Sequence, residues 1–147
     1  MFYFAYGSNL WREQMRLRCP DARCLGTGRL DGFRWLITSR GYASMVRSAG
    51  DSVFGTVYLL SEADERSLDR YEGVADGCYR KELVTVWLPE QLLSCLTYLD
   101  PVQTPGQPKA EYIQRINSGL ADAQLPEDYL ARSIRPFVPD RSERPGE

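Results

Sequence analysis

The chain has 147 residues, 43% hydrophobic and 26% charged, with a formal net charge of −2, so one compact domain with a sizeable core is expected and no global field favours nucleic acid or anionic membrane. Histidine is absent, which excludes a Ser-His-Asp triad, a Cys-His dyad and an H-E-x-x-H zinc site; proton transfer in an enzyme of this composition falls to a carboxylate, tyrosine, cysteine or lysine. Cys19, Cys24, Cys78 and Cys95 match no zinc or C-x-x-C spacing and read as reduced thiols of a cytoplasmic protein. The lysines are Lys81 and Lys109, and neither sits in an apolar stretch suited to Schiff-base chemistry.

In chain order, Tyr3-Phe4-Ala5-Tyr6 reads as a short buried strand, Gly7 as a sharp turn or close approach, and Ser8-Asn9 as a helix start before an amphipathic segment from Leu10 to Leu17. Such a junction leaves backbone N–H groups free to receive a carboxylate or oxyanion. Arg12, Arg16 and Arg18 are expected on a solvated helix face. After Cys19-Pro20-Asp21, strands are expected at Arg23–Leu30, Phe33–Thr38, Tyr42–Arg47 and Ser52–Leu60, with turns at Asp31-Gly32, Arg40-Gly41 and Ala49-Gly50-Asp51. Ser61-Glu62-Ala63-Asp64 is close to a capping box and opens a helix that runs to Tyr71-Glu72 and stops at Gly73.

Glu72 lies four residues after Leu68, so the two share a helix face and the acid is expected to point inward. Burial and the negative end of the helix dipole should both raise its pKa. Strands at Tyr79–Leu88 and Leu92–Leu99 form a hairpin through Pro89-Glu90-Gln91. A proline-rich loop spans Asp100–Pro108. Helices then follow from Lys109 (Tyr112, Ile113, Ile116, Leu120) and from Pro126 (Tyr129, Leu130, Ile134), and the tail from Asp140 is polar. Six or seven mostly antiparallel strands, rich in glycine, with about four helices imply an α+β domain over residues 1–139, built on a mixed, barrel-like sheet, with residues 140–147 as a tail.

Tyr6-Gly7-Ser8-Asn9-Leu10, Leu68-Asp69-Arg70-Tyr71-Glu72-Gly73-Val74 and Gly77-Cys78-Tyr79 together resemble the γ-glutamylcyclotransferase family, which includes AIG2-like and γ-glutamylamine cyclotransferase proteins. The resemblance continues through Tyr98, the proline-rich loop, Tyr112, Gly119-Leu120 and Leu125-Pro126-x-x-Tyr129. It implies a small mixed barrel flanked by helices, formation of 5-oxoproline from γ-glutamyl amino acids or peptides, a place in glutathione metabolism, and no metal or organic cofactor. It places the acid/base on Glu72 and substrate binding on Tyr3, Phe4, Ala5, Tyr6, Gly7 and Ser8, extending to Asn9 and Leu10, with Tyr79 and Tyr112 as further pocket residues. Tyr79 and Tyr112 also read as core aromatics with satisfied hydroxyls. The partner implied is a small γ-glutamyl substrate, not nucleic acid or membrane, and the resemblance leaves room for a homodimer. Rival readings are a γ-glutamylamine cyclotransferase, an enzyme acting on an acylated natural product, and a non-catalytic binding module. The string Tyr-Gly-Ser-Asn-Leu favours the amino-acid branch, whereas Arg70-Tyr71 before Glu72 departs from the best-known members and bears on substrate identity more than on reaction type.

Overall fold

The computed structural model describes residues 1–140. Five strands close a barrel in the order β1-β3-β2-β4-β5: β1 Phe2–Ala5, β2 Arg23–Ile37, β3 Ala43–Leu59, β4 Arg80–Leu88 and β5 Gln91–Leu99. All pairings are antiparallel except β1 with β5, which close the barrel in parallel at Tyr3–Leu96. Around it pack α1 Arg12–Arg18, α2 Glu62–Tyr71, α3 Ala110–Asp122 and the short α4 Glu127–Tyr129, which runs into a π-helical turn at Leu130–Ile134.

The expected count of six or seven strands is corrected to five. Asp31-Gly32 and Ala49-Gly50-Asp51 do not turn the chain back; both lie inside strands. The β2–β3 register steps from Asp31–Ser52 to Phe33–Arg47, so residues 48–51 bulge out opposite Gly32. Phe33–Thr38 therefore does not pair back on Arg23–Leu30 but continues it against the first half of β3. Glycine in an extended strand can mark a bulge as well as a turn, and the long-range pairing decides here. The Arg40-Gly41 turn and the β4–β5 hairpin stand as expected. The tail reading beyond Asp140 lies outside the described residues.

The strand period of two divides β1 between two cores. Phe4 and Tyr6 point into the barrel with Trp35, Val57 and Val86, and α3 covers this core through Tyr112 and Ile116. Tyr3 and Ala5 face outward, where Met15 of α1 and Leu68 of α2 pack over Tyr58, Leu96 and Tyr98. Three buried polar side chains at this junction find partners: Thr97 Oγ1 donates to the Phe4 carbonyl (3.0 Å), Trp35 Nε1 to the Tyr6 carbonyl (2.9 Å), and the Tyr6 hydroxyl to the Tyr98 carbonyl.

Helix α2 begins with a true capping box. Ser61 accepts from the Asp64 N–H (3.1 Å) while the Asp64 carboxylate accepts from the Ser61 N–H (3.2 Å). Lys81 of β4 bridges Glu65 and Asp69, one turn apart on α2, at 2.6 and 3.1 Å. The Tyr98 hydroxyl also donates to Asp69 (2.7 Å). These ties hold the C-terminal end of α2 against the barrel.

Candidate active site

A cavity of about 330 Å³ opens where β1 ends, between the C-terminal end of α2 and the start of α3. Seven of the nine tyrosines line it: Tyr3, Tyr6, Tyr42, Tyr71, Tyr79, Tyr98 and Tyr112. Burial, before any neighbouring charge, pushes the Tyr79, Tyr98 and Tyr112 phenols up, Tyr112 to about 12. At neutral pH these walls are uncharged hydrogen-bonding groups and not bases.

Glu72 closes α2 as its C-cap (φ −84°, ψ −2°), its N–H still bonded to the Leu68 carbonyl (2.8 Å). Gly73 follows in the left-handed region (φ +61°), the usual stop for a helix. A Cβ there would also sit 2.9 Å from the Cys78 Cβ. Leu68 is fully buried, and the shared face carries Glu72 into the cavity wall as its spacing predicts. Among the described residues its carboxyl makes no ion pair and no side-chain hydrogen bond. Burial raises its pKa to about 7, against the opposing pull of Arg18 and Arg115. The residue is part-exposed, and its opening is the cavity itself.

The opposing wall is the turn after β1. Gly7 precedes a 3-10 turn at Ser8–Leu10. A Cβ on Gly7 would sit 3.1 Å from the Tyr112 hydroxyl and 3.2 Å from Ala43 Cβ, so the residue is small because Tyr112 approaches it closely. Among the described residues the N–H groups of Gly7 and Ser8 have no backbone or side-chain acceptor. Ser8 does not cap the helix with its hydroxyl. Instead Gln14 Nε2 donates to Ser8 Oγ and to Asn9 Oδ1, both at 2.9 Å, and Asn9 Nδ2 donates to the Tyr3 hydroxyl (2.9 Å). Ala43, at the start of β3, fixes two phenols: its N–H donates to Tyr112 (3.3 Å) and its carbonyl accepts from Tyr79 (3.0 Å).

Of the residues expected at the site, the cavity gathers Glu72, Tyr3, Tyr6, Gly7, Ser8, Asn9, Tyr79 and Tyr112. Phe4, Ala5 and Leu10 do not line it. Phe4 and Leu10 are barrel core and Ala5 belongs to the core beneath α1 and α2; strand alternation turns Phe4 and Ala5 to opposite sides. Arg18 is not on a solvated face with Arg12 and Arg16, but reaches the cavity from the last turn of α1. Sequence reasoning missed Arg18, Arg40, Tyr42, Tyr71, Cys78, Tyr98 and Arg115 as lining residues. Arg115 had a usable signal, since it follows Tyr112 by three residues on the same helix face. Arg18 and Arg40 had none, because tertiary packing brings them in. Lys81 is spent on its acids and Lys109 lies over the Tyr42 ring at 4.9 Å.

Residues 52–132 match the AIG2-like family. The chain is 34% identical to the γ-glutamylcyclotransferase of Homo sapiens over 138 residues, covering 86% of this chain and 73% of the relative. It is 34% identical to that of Bos taurus over 147 residues, covering 91% and 78%. A solved γ-glutamyl cyclotransferase structure superposes with a TM-score of 0.83 at 29% identity, covering all of this chain and 92% of the other. With barrel, cavity and relatives in agreement, the chain belongs to the AIG2-like family of γ-glutamylcyclotransferases and is an enzyme of that family.

Proposed function

We propose that this enzyme releases 5-oxoproline and a free amino acid from γ-glutamyl amino acids or peptides, with Glu72 as the single acid/base. The observation that carries this reading is the Glu72 carboxyl itself, unpaired among the described residues, open to a tyrosine-lined cavity and poised near neutrality. An acid serves best in proton transfer when its pKa is near the working pH.

The carboxylate takes a proton from the substrate's α-amine as the nitrogen attacks the γ-carbonyl carbon. Ring closure forms the new C–N bond, and the carbonyl electron pair moves onto oxygen. The free N–H groups of Gly7 and Ser8 are suited to that oxyanion. The pair then returns, the bond to the leaving nitrogen breaks, and Glu72 delivers its proton to that nitrogen. Glu72 ends as it began and no water is consumed. Because both reacting groups belong to one molecule, the enzyme has mainly to fold the substrate and move one proton. The phenols of Tyr79 and Tyr112, both held by Ala43, give the substrate a rigid polar wall.

The test is 5-oxoproline release from γ-glutamyl dipeptides and γ-glutamyl amines, with Glu72→Gln in parallel. Turnover by the wild type and its loss in a folded Glu72→Gln variant support the mechanism, and the panel names the leaving group. Full activity in Glu72→Gln would overturn the assignment of the acid/base.

A further inference from the structure

Three guanidinium groups reach the cavity, and their surroundings differ. Arg40 is tied to the buried carboxylate of Asp100 (3.2 Å) and donates to the Cys78 carbonyl (2.7 Å). Arg115 grips Glu111 through two bonds of 3.0 and 2.8 Å. Arg18 has no carboxylate within ion-pair distance among the described residues. It donates to the neutral Asn9 Oδ1 (3.2 Å), and its guanidinium lies over the Tyr71 ring at 4.4 Å from the centroid.

This group is held in place without being neutralised. Asn9 is fixed from its far side by Gln14 and Tyr3, so it offers Arg18 a rigid acceptor. The Tyr71 ring holds the guanidinium without a hydrogen bond and so consumes none of its N–H groups. One NH group is used on Asn9, and the rest of the fork remains for a planar two-oxygen anion. Both anchors belong to the site: Asn9 to the substrate-facing turn, and Tyr71 as the residue directly before Glu72. The charge of Arg18 is also felt at Glu72 as the foremost electrostatic influence on it.

We propose that Arg18 binds the α-carboxylate of the substrate, with Asn9 and Tyr71 acting as the positioning residues that hold its guanidinium. The inference rests on the γ-glutamyl reading above and deepens it. In a γ-glutamyl compound the α-amine and α-carboxylate sit on the same carbon. Once the amine is directed at Glu72, the carboxylate on the same carbon lies beside Glu72 too, and among the described cavity-lining cations Arg18 is the one without an acid of its own. The substrate class narrows accordingly: the glutamyl head must carry a free α-carboxylate, and selection acts on that head independently of the leaving group.

The experiment compares kcat/KM for a γ-glutamyl dipeptide with that for the same compound bearing an α-carboxamide, in wild type, Arg18→Met, Arg18→Lys and Arg115→Met, with folding checked by circular dichroism. The wild type should prefer the carboxylate about 10- to 100-fold, the range expected for a charge-assisted pair. In Arg18→Met the preference should collapse to within about threefold, through KM for the carboxylate substrate. Arg18→Lys should restore part of it, and Arg115→Met should keep it. An Arg18→Met enzyme that slows on both substrates alike and keeps its preference would show a merely structural role and overturn the assignment. So would a wild type indifferent to the amide, or loss of preference in Arg115→Met alone. Absence of wild-type turnover on every γ-glutamyl compound would remove the cyclotransferase reading itself, an outcome distinct from turnover with unaltered selectivity.

Discussion

Two acids serve one cavity wall, Glu72 by lining it and Asp100 by holding Arg40, which lines it, and the protein treats them in opposite ways. Asp100 directly follows β5 with its side chain fully buried, and its carboxylate is answered by Arg40 at 3.2 Å, the Thr38 hydroxyl at 3.1 Å and the Val102 N–H at 2.9 Å. Glu72 ends α2, is also withdrawn from bulk water, and among the described residues has no hydrogen-bond or ion-pair partner for its carboxyl, only the more distant pull of Arg18 and Arg115. The first arrangement is how a fold keeps a buried charge as structure. The second keeps a proton movable, at a cost in stability. Satisfaction of the carboxyl, more than burial, separates the acid held as structure from the acid proposed as the proton carrier.

The largest effect should come from neutralising the unanswered acid. Glu72→Gln is expected to lower kcat by about 10²–10⁴-fold, the share usual for a positioned acid/base. In the wild type, kcat/KM should fall as pH drops through about 7, because the carboxylate form starts the reaction. That limb should vanish from whatever rate Glu72→Gln retains; steady-state rates between pH 5 and 9 check both.

Neutralising the answered acid should do the reverse. Asp100→Asn is expected to cost about 2–3 kcal/mol in urea unfolding, less than a fully enclosed pair because Arg40 is one-third exposed. Its effect on kcat should be small beside that of Glu72→Gln.

The comparison sharpens in a stability measurement on Glu72→Gln. Glu72 binds its proton more tightly folded (about 7) than unfolded (near 4.5). Between those values the folded state holds more protons, so its stability falls as pH rises and the penalty is complete above 7. The variant should therefore be more stable than wild type at pH 8, by about 1–3 kcal/mol, and equal to it at pH 4. Thermal unfolding at both pH values reads this directly.

The smallest effect is expected from Gly73→Ala. A non-glycine residue at φ +61° costs on the order of 1 kcal/mol, and the added methyl must push Cys78 aside. Because the strain falls on the residue next to Glu72, kcat should drop several-fold while KM changes little.

The site was legible in the sequence wherever it follows from local periodicity. Leu68 and Glu72 share a face because a helix repeats every 3.6 residues, and Gly73 stops that helix because only glycine is at ease there. The capping box at Ser61 and the β4–β5 hairpin were legible for the same reason. Phe4, Ala5 and Leu10 share a contiguous motif with the lining residues, but neighbours along a strand face opposite ways and all three belong to the cores. In the sequence Gly32 and Gly50 read as turns and not as a bulge, because a glycine pattern cannot state which distant strand it will meet. Arg18 and Arg40 arrive through packing between elements far apart in sequence, which no local signal encodes.

Parallel closure of β1 on β5 has a consequence for how the molecule is made. The Tyr6 hydroxyl waits for a carbonyl 92 residues further along, and the Phe4 carbonyl for a hydroxyl 93 residues away. On the ribosome the turn after β1 emerges well before the strand and helix that shape it, so it cannot acquire its folded form until α3 delivers Tyr112. Contacts of such span are slow to form. A nascent chain halted before α3 should expose Tyr6 and Gly7 to proteases and have no catalytic competence, even with Glu72 already synthesised.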